Sequence, residues 1–170
     1  MACGGKKTES EASTNDTTTA VASNKPYADP SQKNEYKAHL GGADYVVTIL
    51  READSSLPIA TDDLGNKFYD NRVIVTVKRG AEEVVNKTFT KENFSDFLTT
   101  STDRQGTVLL GMAYDSEKSD GHTLRLGAQI GQVGIEEGPA FTVEIPFDGG
   151  AVSIVRDTNQ DTTGDDGMTD

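Results

Sequence analysis

Few side chains in this sequence have the types and spacing for chemistry. Cys3 is the single cysteine, and the two histidines, His39 and His122, lie far apart in the 170 residues. Neither histidine stands in a spacing such as His-Glu-x-x-His, which would bring two imidazoles onto one face to hold zinc. Cys3 has no partner for an internal disulfide. With the thiol at the chain start, a Cys/His nucleophile pair is not expected, and no Gly-x-Ser-x-Gly elbow occurs for a serine hydrolase. The carboxylate pairs Asp62-Asp63 and Glu136-Glu137 could do acid and base work only with one raised and one ordinary pKa at a set separation. Adjacent acids in loops read more simply as solvated charge, and without tryptophan and with 6% aromatic residues the chain offers no obvious sugar platform. A hydrolase using loop carboxylates is therefore the third-ranked reading.

Two further patterns fail on inspection. Asp157-x-Asn159-x-Asp161 places oxygens like the first three ligands of a calcium loop, but Thr162 stands where the turn needs glycine and Met168 where a bidentate glutamate belongs. Gly127, Gly131 and Gly134 lack the strand-to-helix step and the Lys-Ser/Thr pair of a phosphate loop, so they read as bulges or close strand packing. The expectation is no catalytic residue, no metal and no cofactor.

Cys3 has a different chemistry available to it. It heads Gly4, Gly5, Lys6 and Lys7 and then a polar stretch rich in Ser, Thr, Asn and acids, which cannot bury enough apolar surface to offset its ordering entropy. A cysteine leading a small, polar tether resembles the mature start of a bacterial lipoprotein, in which the thiol is acylated and the leader lifts the domain off the membrane. That resemblance makes Cys3 the lipidation site. Ala2 suits the position before cleavage, whereas the lipobox and hydrophobic run are missing, as in a trimmed chain or a miscalled start codon. A cytosolic chain that happens to begin Met-Ala-Cys is the competing reading. Asp16-Thr17-Thr18 and Asp161-Thr162-Thr163 also resemble the short O-glycosylation sequon of Bacteroidetes-type bacteria, although such triplets arise by chance in Thr-rich tails.

Charge narrows the partners. Sixteen basic residues against 28 acidic ones leave a net charge of −12, which opposes general attraction to nucleic acid or anionic lipid. No run of 18 apolar residues exists to form a spanning helix, so the membrane partner is expected through the lipid anchor only, and nucleic acid is not expected.

The elements that must position any site are β-type. Residues 36–40 and 45–50 flank a Gly41-Gly42 turn, and 71–79 alternates with Val73, Val75 and Val77 on one face. Residues 83–90 follow, with Val84 opposed to Val85 and Phe89 and room for a bulge. Thr90 can cap a short helix presenting Phe94, Phe97 and Leu98. Residues 107–114 and 122–130 form a second hairpin, with Leu124, Leu126, Ala128 and Ile130 alternating. The last pair is 140–147 and 151–155, where Pro146 suggests an edge position near that strand's end. Residues 51–67 keep no period and read as a long loop or an irregular edge. The sum is an all-β fold, an antiparallel β-sandwich or partly closed barrel of seven or eight strands with one short helix. We expect a flexible leader over 1–34, the β domain over 35–156 and a disordered acidic tail over 157–170. The helix and second sheet should cover both faces of strands such as Val73/Val75/Val77 against Ile74.

The run Tyr69-Asp70-Asn71-Arg72-Val73-x-Val75-x-Val77, then Lys87-x-Phe89-x-Lys91-x-x-Phe94, then Leu110-Gly111-Met112, resembles uncharacterised lipoprotein domains of Bacteroidetes-type bacteria, over most of residues 36–155. The resemblance implies a small secreted β-rich domain of unknown function and says nothing of a substrate. The leading functional reading is a non-enzymatic, lipid-anchored envelope protein of a Gram-negative bacterium, facing periplasm or exterior, whose β domain is a binding or accessory module. The alternative is a carrier or receptor for a small apolar ligand. The identity of a protein, glycan or small-molecule partner is not legible.

Overall fold

The computed structural model describes residues 25–135 and 138–158. Ten strands occur among them: β1 (Gln32–Leu40), β2 (Ala43–Ala53), β3 (Ala60–Thr61), β4 (Lys67–Phe68), β5 (Asn71–Arg79), β6 (Glu82–Phe89), β7 (Val108–Tyr114), β8 (Thr123–Gly131), β9 (Ala140–Pro146) and β10 (Ser153–Arg156). A 3₁₀ helix (Lys91–Phe97) and a short α1 (Ser101–Gln105) join β6 to β7. The strands form two antiparallel four-stranded sheets, ordered β1-β2-β5-β6 and β10-β9-β8-β7, plus the small β3-β4 pair. No ladder joins the two large sheets among the described residues, so the sandwich holds and the barrel alternative falls away.

Period-two patterning explains the core. Val47, Ile49, Val73, Val75 and Val77 from the first sheet and Leu124, Leu126, Ile130, Val143 and Ile145 from the second all lie in one buried cluster. Each such side chain contributes about 1.5–3 kcal/mol by leaving water. Phe94 and Phe97 of the 3₁₀ helix pack on Phe141, with ring centroids 5.1 and 5.4 Å apart. The bulge foreseen in β6 is present: Val77 pairs with Val85 and Lys78 with Glu83, which leaves Val84 as the extra residue. At the first hairpin Gly41 has φ +56°, and a Cβ there would stand 2.7 Å from the Gly121 Cα, so the turn needs glycine twice over, for conformation and for space.

Several expectations are corrected. Regular structure begins upstream of residue 35, because β1 starts at Gln32 and Tyr27 bridges Phe68. Residues 51–53 belong to β2, which runs on to Ala53, while the short β3-β4 pair gives the remainder its irregular edge. A second helix exists, α1, whose N-cap Thr100 accepts a hydrogen bond from the Asp103 N–H at 3.0 Å. The 3₁₀ helix is fixed by the Asn93 side chain, whose Oδ1 accepts from the Thr90 N–H at 2.9 Å. β9 is a central strand, and Pro146 has a locally free edge only at its end. It is tolerated because the β9-β10 ladder reaches only Glu144, so its missing N–H falls beyond that partner. Finally, Leu50 and Ile74 face one another on the outer side of the first sheet and stay half-buried, so no further layer closes over that side.

Candidate functional site

The most developed surface feature follows β7, and a polar clasp creates it. Asp70 and Asn71, at the start of β5, reach across to the free edge of β7. The Leu109 N–H donates to Asp70 Oδ1 at 2.9 Å, and Asn71 Nδ2 donates to the Leu109 carbonyl at 2.9 Å. These two side chains therefore stand in for a neighbouring strand. Lys91 completes the clasp, with Nζ donating to the Thr107 carbonyl at 2.5 Å and lying 3.4 Å from Asp70 Oδ2. Asp70 and Asn71 are 3% and 0% exposed, so these bonds are made away from water.

One residue further along β7 the ladder slips. Leu109 pairs with Ile130 and Gly111 with Gln129, leaving Leu110 as a bulge. The Leu110 carbonyl accepts from Arg51 Nη1 at 2.7 Å, while Arg51 Nη2 donates to the Pro30 carbonyl at 3.2 Å. Arg51 continues the inward row Tyr45, Val47, Ile49 at the end of β2, where it sits opposite Val73. Among the described residues no carboxylate lies within ion-pair distance of it, and its Nε has no hydrogen-bond partner. Among the described residues the other buried side-chain atom without a partner is Asn71 Oδ1. Both belong to the corner where the clasp meets the β7 bulge.

An open groove of about 490 Å³ extends from Arg51. Gln32 and Asn34 line one side, and Gly111, Ala113, Gly127 and Ala140 form part of its floor. The floor is low because small residues share rows across the sheet: Ala113, Gly127 and Thr142 are register partners, as are Gly111, Gln129 and Ala140. A Cβ at Gly111 or Gly127 would meet nothing within 4 Å. Gly127 thus marks neither a bulge nor close packing, contrary to expectation. A second groove of about 460 Å³ shares Arg51, Leu110 and Gln129 with the first and continues toward Asp29 and the half-exposed Ile135.

The charged groups on the neighbouring outer face are engaged with one another. Arg125 donates from Nε to Glu144 at 2.9 Å and from Nη1 to Asp120 at 3.1 Å. Hydrogen bonding to Glu144 and then Asp120 raises the Arg125 pKa further, while the His122 N–H, Arg125 and the Thr123 N–H hold the Asp120 carboxyl below its ordinary value. Burial, with a smaller push from the Asp115 charge, raises the Tyr114 phenol. Guanidinium, amide and hydroxyl groups around an open trough are the means of binding a polar ligand.

Of the residues singled out from the sequence for chemistry, Gly127 and Asp157 line this groove and Gly134 the second, while the others do not converge there. Cys3, Glu136 and Glu137, the Asp16 and Asp161 sequons, and Asn159 with Asp161 lie outside the described residues. His39 is exposed with Nδ1 2.6 Å from Asp44, and His122 is exposed beside its turn. Asp62 organises its own loop, accepting from the Leu64 and Asn66 N–H groups and from Asn66 Nδ2. Its pKa is lowered chiefly by the Asn66 side chain, which favours the ionised form rather than a proton donor. Arg51, Gln32 and Asn34 were missed, having been read as loop and leader. The available signal was the alternation Tyr45-Val47-Ile49-Arg51, which points an arginine inward.

The model of a family described as Domain of unknown function (DUF4738) matches residues 10–131. The chain belongs to this family. No curated protein matches it. The DUF4738 match ends at Gly131, the last residue of β8, so it takes in the clasp, Arg51 and the β7 bulge. The β9-β10 hairpin lies beyond it, although Phe141, Val143 and Ile145 of β9 are part of the core. The expected kinship with an uncharacterised domain family is borne out.

Proposed function

We propose that this DUF4738 chain is a non-enzymatic binding or accessory module of the cell envelope, anchored by lipid at Cys3 and engaging its partner along the Arg51 groove. The observation that carries the binding reading is the groove itself: an open trough fed by both sheets, with an inward arginine free of ion pairs among the described residues. Cys3 and the polar stretch after it support the anchor, since acyl chains contribute about 0.8 kcal/mol per buried CH₂.

The apolar-carrier alternative gains nothing from the interior, where the inner faces of both sheets close on one another with residues such as Val47, Val75, Leu126 and Val143 at 0% exposure. The groove reading is tested by placing a photoreactive amino acid at Ala113, on the groove floor, and at Thr88, on the exposed outer side of the first sheet, in the native host. The expected result is an adduct at position 113 that is absent at 88 and is lost with Arg51→Gln. Equal labelling at both positions, or none at 113, contradicts it.

A further inference from the structure

Among the described residues four strands border the two large sheets, and three are short, bulged or partly covered. The start of β7 is capped by Asp70, Asn71 and Arg51. Strand β10 has four residues, and β6 is interrupted by the Val84 bulge. Short, bulged or covered edges are the usual ways a sheet avoids adding strands. β1 is neither short, bulged nor covered, and its one such device is its row of exposed charges. It pairs with β2 in unbroken register over all nine residues from Gln32 to Leu40 and, among the described residues, has no strand on its other side.

The outward-facing side chains of β1 have a particular order: Lys33, Glu35, Lys37 and His39. Its centre is Tyr36. When two β1 strands run antiparallel about a two-fold axis through Tyr36, all nine positions overlap and Glu35 of each copy faces Lys37 of the other, twice. Lys33 meets the second copy's His39, whose ring is held by Asp44 at 2.6 Å. A row of one sign would repel itself here, whereas this row is self-complementary. It also carries more lysine than acid in a chain of net charge −12, so it does not add to the negative charge that keeps copies apart.

We infer that β1 is a self-association edge: two copies of this chain pair through antiparallel β1 strands centred on Tyr36, joining the two first sheets into one of eight strands. This inference stands apart from the groove and the anchor. A strand-edge contact is small, so the dimer is concentration-dependent, and tethering copies to one surface would favour it.

Sedimentation velocity of the full 170-residue chain over a concentration series tests it, in reductant so that Cys3 cannot cross-link two copies. The expected result is a reversible monomer–dimer equilibrium. Lys37→Glu and Glu35→Lys should each weaken it about tenfold or more by opposing like charges twice. The Glu35→Lys/Lys37→Glu double variant should restore it. Circular dichroism confirms that each variant is folded. A wild-type chain that stays monomeric throughout overturns the inference, and so does a dimer unaffected by the single charge reversals.

Discussion

Removing the Asp70 carboxylate should loosen the junction between the sheets. Oδ1 accepts from the Leu109 and Asn71 N–H groups at 2.9 and 2.8 Å, and Oδ2 lies 3.4 Å from Lys91 Nζ. The two side chains are 4% and 15% exposed, so water cannot readily replace the lost partner. In Asp70→Ala the Leu109 N–H is left without an acceptor, and the Lys91 ammonium keeps only the Thr107 carbonyl. Breaking a buried, hydrogen-bonded ion pair from one side costs about 3–5 kcal/mol, a large share of the roughly 5–15 kcal/mol that holds a domain folded. Asp70→Asn keeps an oxygen for the Leu109 N–H and should cost about 1–3 kcal/mol. Lys91→Met should cost less than Asp70→Ala, because the carboxylate retains both N–H donors. Urea unfolding followed by circular dichroism measures all three. Asp70→Ala costing under about 1 kcal/mol, or an equal cost for Asp70→Ala and Asp70→Asn, would refute the reasoning.

Other predictions bear on the turn, the groove and pH. Gly41→Ala should destabilise clearly more than Gly42→Ala: both sites have positive φ, but only at Gly41 does a new Cβ meet backbone, at 2.7 Å from Gly121, and thermal unfolding should rank them so. Gly127→Leu, reaching into open space, should change stability by less than about 1 kcal/mol yet abolish the adduct at position 113. Asp62 and Asp120 have folded pKa values below their unfolded ones, so the stability they contribute is present above the ordinary aspartate range and is lost as pH falls through the folded values. Carboxyl-detected NMR should show both midpoints depressed, and an ordinary midpoint for Asp62 would mean that its loop is not held by Asn66.

The fold was largely legible because period-two alternation is strong where one face is buried. Val73, Val75 and Val77, and Leu124, Leu126 and Ile130, follow the pattern to 0% exposure. Where pattern and length disagree, legibility ended. Alternation past Ile49 continues through a charged residue, so Arg51 read as loop although β2 holds it inward to Ala53. The Thr100-x-x-Asp103 signature of α1 was present but sits on a segment too short for an amphipathic period. The clasp was invisible for a different reason: Asp70 and Leu109 are 39 positions apart, and only the sandwich topology brings a turn acid to the edge of β7. The groove floor is likewise a cross-strand property, since Ala113, Gly127 and Thr142 are unremarkable until register aligns them. Cysteine, histidine and the paired acids therefore point away from the groove, while the arginine and amides that shape it carry no sequence motif.

The lipid anchor proposed at Cys3 is tested directly by detergent-phase partitioning of the native host, with the natural protein compared against Cys3→Ser made at its own locus. The natural protein should enter the detergent phase and the variant should stay in the aqueous phase. Both forms remaining aqueous, or both entering detergent, would contradict it.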